Sequence, residues 1–132
     1  MAILAKNSLD HCEFEKVDSA GMEALAILLN YNGKTVKIVG IYNRPRRIIS
    51  DSEIEWLFSS NYESIVAGDY NSKHSIWGCN RSNVCGISLK RQTEKYGLTV
   101  VATLEPTYFP NVAQGNRIPD ILDFVVTNMK SL

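Results

Sequence analysis

Ser64-Ile65-Val66-Ala67-Gly68-Asp69-Tyr70-Asn71 is a short apolar run that halts on a glycine and then presents an acid and an amide at alternate positions. Ile65, Val66 and Ala67 suit a strand covered on both faces. Gly68 lets the backbone turn without a Cβ clash, and Asp69 and Asn71, two apart, can point to one side. An oxygen-rich pair at the carboxyl end of a strand lies where open α/β sheets place their ligands. Gly-Asp-x-Asn is also ordinary turn chemistry, so the neighbouring segments have to decide between a site and a turn.

Upstream, residues 1–5 read as a strand, and residues 23–29 as a second, apolar one. Asn32-Gly33 is a hairpin turn leading into a strand over 35–42, so these last two should pair antiparallel. Val36, Ile38, Gly40 and Tyr42 share one face by the period of two, which predicts Tyr42 on the core-facing side at the strand end. There its hydroxyl either reaches into a site or packs at a sheet edge with some polar partner. Arg44-Pro45-Arg46-Arg47 is the one dense positive cluster, either a solvated loop or a set of phosphate contacts. Ser50-Asp51-Ser52-Glu53 has capping-box spacing, and Ile54, Leu57 and Phe58 follow at helical intervals, predicting a short helix to about Ser60.

Downstream, residues 72–81 form a polar loop holding Lys73, His74, Trp77 and Gly78. Asn83 caps a second helix with Leu89, Thr93 and Tyr96 as its buried stripe and Gly97 as its stop. A strand is expected over 98–102, a rigid corner over 106–110 and a Gly/Pro/Asn-rich surface loop over 111–119. The last strand, 121–127, is apolar except for Asp123 in its middle, and a lone carboxylate there is costly to bury unless paired or bound to a metal. The alternation of strands and helices predicts an α/β class with a mixed, mainly antiparallel sheet pattern.

Composition bounds the function. At 132 residues and 45% apolar, the chain suits one domain with a modest core, or part of one. Fourteen basic and fourteen acidic residues cancel, so any nucleic-acid contact must be local rather than driven by overall charge. No apolar run is long enough for a membrane span, and no secretion signal is evident, so a soluble nuclear or cytoplasmic protein is expected. Cys12, Cys79 and Cys85 are odd in number and lack Cys-x-x-Cys spacing, which favours free thiols. His74, Cys79 and Cys85 lack a fourth ligand at any usual zinc spacing.

With these residues in place, the chain resembles the endonuclease/exonuclease/phosphatase superfamily, and within it the apurinic-type endonuclease domain of non-LTR retrotransposons of the insect jockey kind. The segments that carry the resemblance are Glu23-Ala24-Leu25-Ala26-Ile27, Ile41-Tyr42-x-x-Pro45, Gly68-Asp69-Tyr70-Asn71-Ser72-Lys73-His74 with Trp77-Gly78, Asn83-x-x-Gly86-x-x-Leu89, Pro106-Thr107-Tyr108 and Pro119-Asp120-Ile121-Leu122-Asp123-Phe124. The resemblance implies a four-layer α/β/β/α sandwich that hydrolyses phosphodiesters with a divalent metal, magnesium or manganese.

Position by position, Asp69 resembles the aspartate that activates the attacking water and Asn71 the asparagine that holds the scissile phosphate, the two also being the expected metal contacts. Tyr42 resembles a phosphate-contacting tyrosine, Asp123 an aspartate that orients a catalytic histidine, and His74 a histidine often found after the Gly-Asp-x-Asn motif. Thr107, Arg44, Arg46, Arg47 and Lys73 are the expected DNA contacts. Such roles suit phosphodiester chemistry, in which charge building on the phosphoryl oxygens must be neutralised while a carboxylate takes a proton from water.

Two family features are not found in the sequence. The asparagine and metal-binding glutamate of the family's first strands have no counterpart, and no Ser-Asp-His motif follows the 121–127 strand. Residues 1–132 are therefore expected to be a single partial domain lacking its first strands and its C-terminal end, and inactive as they stand. The intact parent would nick target DNA to prime a reverse transcriptase domain of the same polyprotein. The alternatives are a cellular nuclease or phosphoesterase of the same superfamily, and a non-catalytic remnant with weak nucleic-acid binding.

Overall fold

Asn32 and Gly33 both take left-handed backbone angles, with φ of 51° and 76°, as a two-residue hairpin turn with the right twist requires. The computed structural model, which describes residues 1–58, 61–111, 115 and 118–130, builds outward from that turn. Strands β2 (Met22–Tyr31) and β3 (Lys34–Asn43) pair antiparallel from Tyr31 opposite Lys34 to Met22 opposite Asn43. Strand β1 (Asp10–Ser19) adds to the outer edge of β2 with a bulge between Glu13 and Glu15. Helix α1 (Asp51–Phe58) carries the chain across to β4 (Glu63–Asp69), which runs parallel to β3. After a 3₁₀ turn at Ser75–Trp77 and helix α2 (Val84–Tyr96), β5 (Thr99–Val101) and β6 (Asp123–Thr127) complete a six-stranded sheet of order β1-β2-β3-β4-β6-β5. Only β3 and β4 pair in parallel, so the mixed, mainly antiparallel α/β fold predicted from the sequence is the fold observed.

The helix signals act as expected. The Glu53 carboxylate accepts from the Ser50 N–H at 2.9 Å while the Ser50 hydroxyl accepts from the Glu53 N–H at 3.2 Å, closing the capping box. In α2, Asn83 accepts from the Gly86 N–H at 2.7 Å, and Gly97, at φ 66°, ends the helix. Ile54, Leu57, Leu89 and Trp77 meet Met22, Ala24, Ala26, Val39, Ile41, Val66, Phe124 and Val126 in one core. Full burial of each large apolar side chain contributes roughly 1.5–3 kcal/mol. The predicted end of α1 at Ser60 falls outside the described residues, as does most of the 111–119 loop. Among the described residues no helix is long and apolar enough to cross a membrane.

Three expectations are corrected. Residues 1–5 form no strand; they lie across the sheet, with the Met1 sulfur 3.1 Å from where a Gly40 Cβ would stand. Met1 and Ile3 reach over Gly40, but none of the five residues is buried and Leu4 is almost fully exposed, so the apolar run marks no sheet edge. The real first strand, β1, is half charged and mostly exposed and shows no sustained apolar period.

Tyr42 is not on the helix-facing side of β3. That side holds Lys37, Val39, Ile41 and Asn43, and Tyr42 is 40% exposed on the other. The parity misled because the buried Lys37 reads as an outward residue. Its ammonium donates to the Trp56 carbonyl at 3.3 Å and lies over the Trp56 and Phe14 rings, and burial holds its pKa below the ordinary lysine value.

Finally, Asp123 opens β6 instead of interrupting it and is exposed, whereas the buried carboxylate of this segment is Asp120.

Glycine packing gives a test. A Cβ at Gly86 would sit 1.7 Å from the Lys73 carbonyl oxygen, while one at Gly33 would meet nothing within 4 Å. In a helix interior alanine normally outperforms glycine by about 1 kcal/mol, but Gly86→Ala is expected to lower stability by more than about 4 kcal/mol because backbone must move. Gly33→Ala, strained only by its φ, should cost about 1–2 kcal/mol. Urea unfolding of both variants checks the order, and a Gly86→Ala protein as stable as the parent refutes the contact.

Candidate active site

Strand register brings distant residues into one row. Tyr42 at the end of β3 is paired with Asp69 at the end of β4, and Asp69 is paired with Asp123 at the start of β6. Period-two alternation then puts all three on the sheet face away from the helices. β4 can reach this position because Gly68 carries no side chain; a Cβ there would lie 2.0 Å from the Ile41 carbonyl oxygen.

Beyond Asp69 the chain turns sharply. Asn71 adopts φ 47°, its N–H donates to Asp69 Oδ1 at 2.9 Å, and its side-chain Nδ2 donates to the Asn43 carbonyl at 2.7 Å. The Asn71 side-chain nitrogen is thus committed inward. Asp69 is half-buried, and burial pushes its carboxyl above the usual range; the Asn71 N–H opposes this, and the neighbouring Asp123 charge adds to it. Thr107 joins the group through its hydroxyl oxygen, which accepts from the backbone N–H of Leu122 at 2.9 Å and of Asp123 at 3.0 Å.

The remaining sequence-predicted residues divide by what they touch. Arg44, Arg46 and Lys73 line an open cavity of about 590 Å³ together with Asn71, Asn83 and Tyr108. Among the described residues neither Arg44 nor Arg46 has an ion-pair partner. Arg47 is turned the other way, donating to Glu53, to the Asn43 side chain at 3.1 Å and to the Ala20 carbonyl at 2.7 Å. Lys73 pairs with Asp120 at 3.1 Å. His74 caps the 3₁₀ turn, its Nδ1 accepting from the Ile76 N–H at 3.1 Å, and packs on Trp77. The three cysteines are free thiols.

Two residues that the sequence did not single out also support the row. Asn43 is fully buried; its side chain donates to the Arg47 and Tyr70 carbonyls while its own carbonyl holds Asn71. Asp120 is 3% exposed. Its place beside Pro119 in a motif-bearing segment was the available signal; for Asn43 there was none beyond its position after Tyr42.

The donor set suits a hard cation in kind. Asp69, Asp123 and the Asn71 amide oxygen are hard donors, and the Asp69 carboxyl, held above the usual range by burial and to a lesser degree by the Asp123 charge, is a group that a nearby cation would favour in its ionised form. Among the described residues no group of three or more His, Cys, Asp or Glu side chains converges.

Comparison with known proteins adds family evidence. Over residues 36–132 the chain matches the sequence profile of a family described as Endonuclease-reverse transcriptase. It is 30% identical over 127 residues to the probable RNA-directed DNA polymerase from transposon X-element of Drosophila melanogaster, and 29% identical over 128 residues to the RNA-directed DNA polymerase from mobile element jockey of the same species. Each alignment takes in 96% of this chain but 14% of the relative, so the chain spans a small part of the curated relatives it matches. The fold is shared with the endonuclease domain of TRAS1, a telomere-specific non-LTR retrotransposon, at a TM-score of 0.75 and 19% identity, over 92% of this chain and 57% of that one. An endonuclease/exonuclease/phosphatase family protein from Leptotrichia buccalis aligns at a TM-score of 0.54 and 14% identity, over 94% of this chain and 50% of its own.

The raised Asp69 pKa fixes a sign. Its carboxyl is held above its unfolded value, so its ionisation costs stability as pH rises from the unfolded pKa through the folded one. Asp69→Asn is therefore expected to raise the thermal midpoint at pH 7 and to lose that advantage near pH 3, and Asp123→Asn to lower the Asp69 pKa. Carboxyl carbon NMR titration reads the second effect; an Asp69 titration unmoved by Asp123→Asn would show that the two do not interact.

Proposed function

The chain belongs to the Endonuclease-reverse transcriptase family, and on that premise we propose that it is the central part of a DNA endonuclease domain within a retrotransposon polyprotein, the parent protein nicking target DNA to prime its own reverse transcriptase. The observation that carries this is the in-register row of Tyr42, Asp69 and Asp123 with Asn71 turned against it, beside a cavity walled by Arg44 and Arg46. A phosphodiester needs those parts together: cations that draw in the phosphate, donors that fix it and a carboxylate that takes a proton from water.

In this assignment Arg44 and Arg46 hold backbone phosphates of the DNA, with Lys73 and Thr107 at the cavity margin and Arg47 bracing the loop that carries the other two arginines. Tyr42 and Asn71 orient the scissile phosphate, and Asp69 is the general base. Its raised pKa suits the task, because a desolvated carboxylate is a better proton acceptor than a solvated one. Asp123 sits where it can align a histidine from elsewhere in the parent protein, and His74 stiffens the loop after Asn71 through its capping bond. Enzymes of the superfamily generally depend on a divalent metal. Asp69 and Asn71 would hold a magnesium or manganese ion, which when bound neutralises charge on the phosphoryl oxygens.

Residues 1–132 alone are expected to nick supercoiled plasmid no faster than buffer in magnesium, since the two side chains of Asp69 and Asn71 would hold such an ion weakly. The parent protein should nick, and Asp69→Asn should reduce its rate roughly 10²–10⁴-fold with DNA affinity retained, the amide keeping the shape but refusing the proton. Rapid magnesium-dependent nicking by residues 1–132 would disprove the claim of a shared site. A parent that binds DNA through Arg44 and Arg46 and never cuts would favour a non-catalytic binding module instead.

A further inference from the structure

We infer that Asp120 is a positioning residue which, through Lys73, fastens the loop after Asp69 to the segment that carries Asp123; the kinetic arm of its test rests on the endonuclease assignment. Asp120 is 3% exposed, and a carboxylate so buried persists only when its oxygens are matched. Oδ1 accepts from the Ile121 N–H at 3.0 Å, and Oδ2 pairs with the Lys73 ammonium at 3.1 Å.

Each partner sits on a rigid base. The Asp120 backbone bonds in both directions with Tyr108, at 2.9 and 3.0 Å, and accepts from the Thr107 N–H at 3.0 Å. Thr107 in turn receives the N–H groups of Leu122 and Asp123 on its hydroxyl oxygen. On the other side, the Lys73 N–H donates to Asn83 Oδ1 at 3.0 Å and the Lys73 carbonyl accepts from the Asn83 N–H at 2.9 Å, packed so closely on Gly86 that no Cβ fits between. The ion pair is the charged link between these two bases, and each base presents one of the paired carboxylates, Asp69 or Asp123. Lys73 is thereby committed to Asp120, and the cavity's cations for phosphate are Arg44 and Arg46.

The test uses the protein at its full natural length, with magnesium and supercoiled plasmid, below the unfolding midpoint of every variant. Asp120→Asn and Lys73→Met are each expected to lower kcat about tenfold with KM within about twofold, and the double variant to be no worse than the worse single, as for residues that act as a unit. Lys73→Arg should recover most of what Lys73→Met loses, and hydrogen exchange at the Leu122 and Asp123 amides should quicken in both single variants. Losses that multiply in the double variant would overturn the proposal. So would a Lys73→Met defect confined to KM and its salt dependence while Asp120→Asn is silent, which would make Lys73 an independent phosphate contact. An unmodified protein that never nicks but shows the coupled exchange would sink the endonuclease assignment and leave the clamp standing; normal nicking with kcat and exchange unchanged in Asp120→Asn would sink the clamp alone.

Discussion

The close approach of backbone to backbone at Gly68 sets the geometry of everything around it. β4 is pressed between β3, which runs beside it in parallel, and β6, which runs against it. At Gly68 the strand lies so near the Ile41 carbonyl that any side chain would overlap it, and the glycine's φ of 146° is open to few L-residues. That one missing Cβ lets three strands end at a common level and lets Asp69 stand between Tyr42 and Asp123. It also lets the next residue turn inward. Tyr70 is fully buried, stacked on Phe124 at 4.5 Å with its hydroxyl donating to the Val66 carbonyl, so the turn that presents Asp69 and Asn71 is pinned from below by an aromatic side chain.

Polar groups in the interior carry this geometry outward. Asn43 would be costly to bury unbonded, yet both ends of its side chain are engaged and its carbonyl fixes the Asn71 amide. Through Arg47 the same residue is tied to Glu53 and so to the capping box of α1. Helix start, loop and strand end are one hydrogen-bonded unit. Removing Arg47 would leave the buried Asn43 side-chain oxygen without that donor, and because such networks act together the loss is not confined to one residue.

The sequence disclosed those parts of the fold that rest on local chemistry. Asn32-Gly33, Ser50 with Glu53, and Asn83 with Gly97 each encode a backbone angle or a bond within four residues, and all three sit where local rules put them. The misses share a different cause. β1 is stabilised by pairing with β2 and not by any periodicity of its own, residues 1–5 are apolar without joining the sheet or being buried, and the parity of β3 was hidden by a lysine buried under two aromatic rings. In the candidate site, Tyr42, Asp69 and Asn71 could be named because each lies at or near a strand end within a recognisable motif, and Asp123 because a lone acid stands out in an apolar run. Asn43 and Asp120 could not, because what they do depends on partners 27 and 47 positions away, Tyr70 and Lys73.

Charge distribution completes the connection between fold and chemistry. The chain is neutral as a whole, with fourteen residues of each sign, so attraction for a polyanion has to come from where cations are left uncompensated. Around the row of site residues the fold cancels two cations and leaves two. Arg47 is matched by Glu53 and Lys73 by Asp120, whereas Arg44 and Arg46 line the cavity without an acidic partner among the described residues. Internal pairing thus leaves two of four neighbouring cations uncompensated. Arginine suits that place, since its planar fork meets two phosphate oxygens at once. The charge left uncompensated near the row is therefore that of Arg44 and Arg46 at the cavity they share with Asn71, and under the endonuclease assignment proposed above it is there that a backbone phosphate would be drawn in.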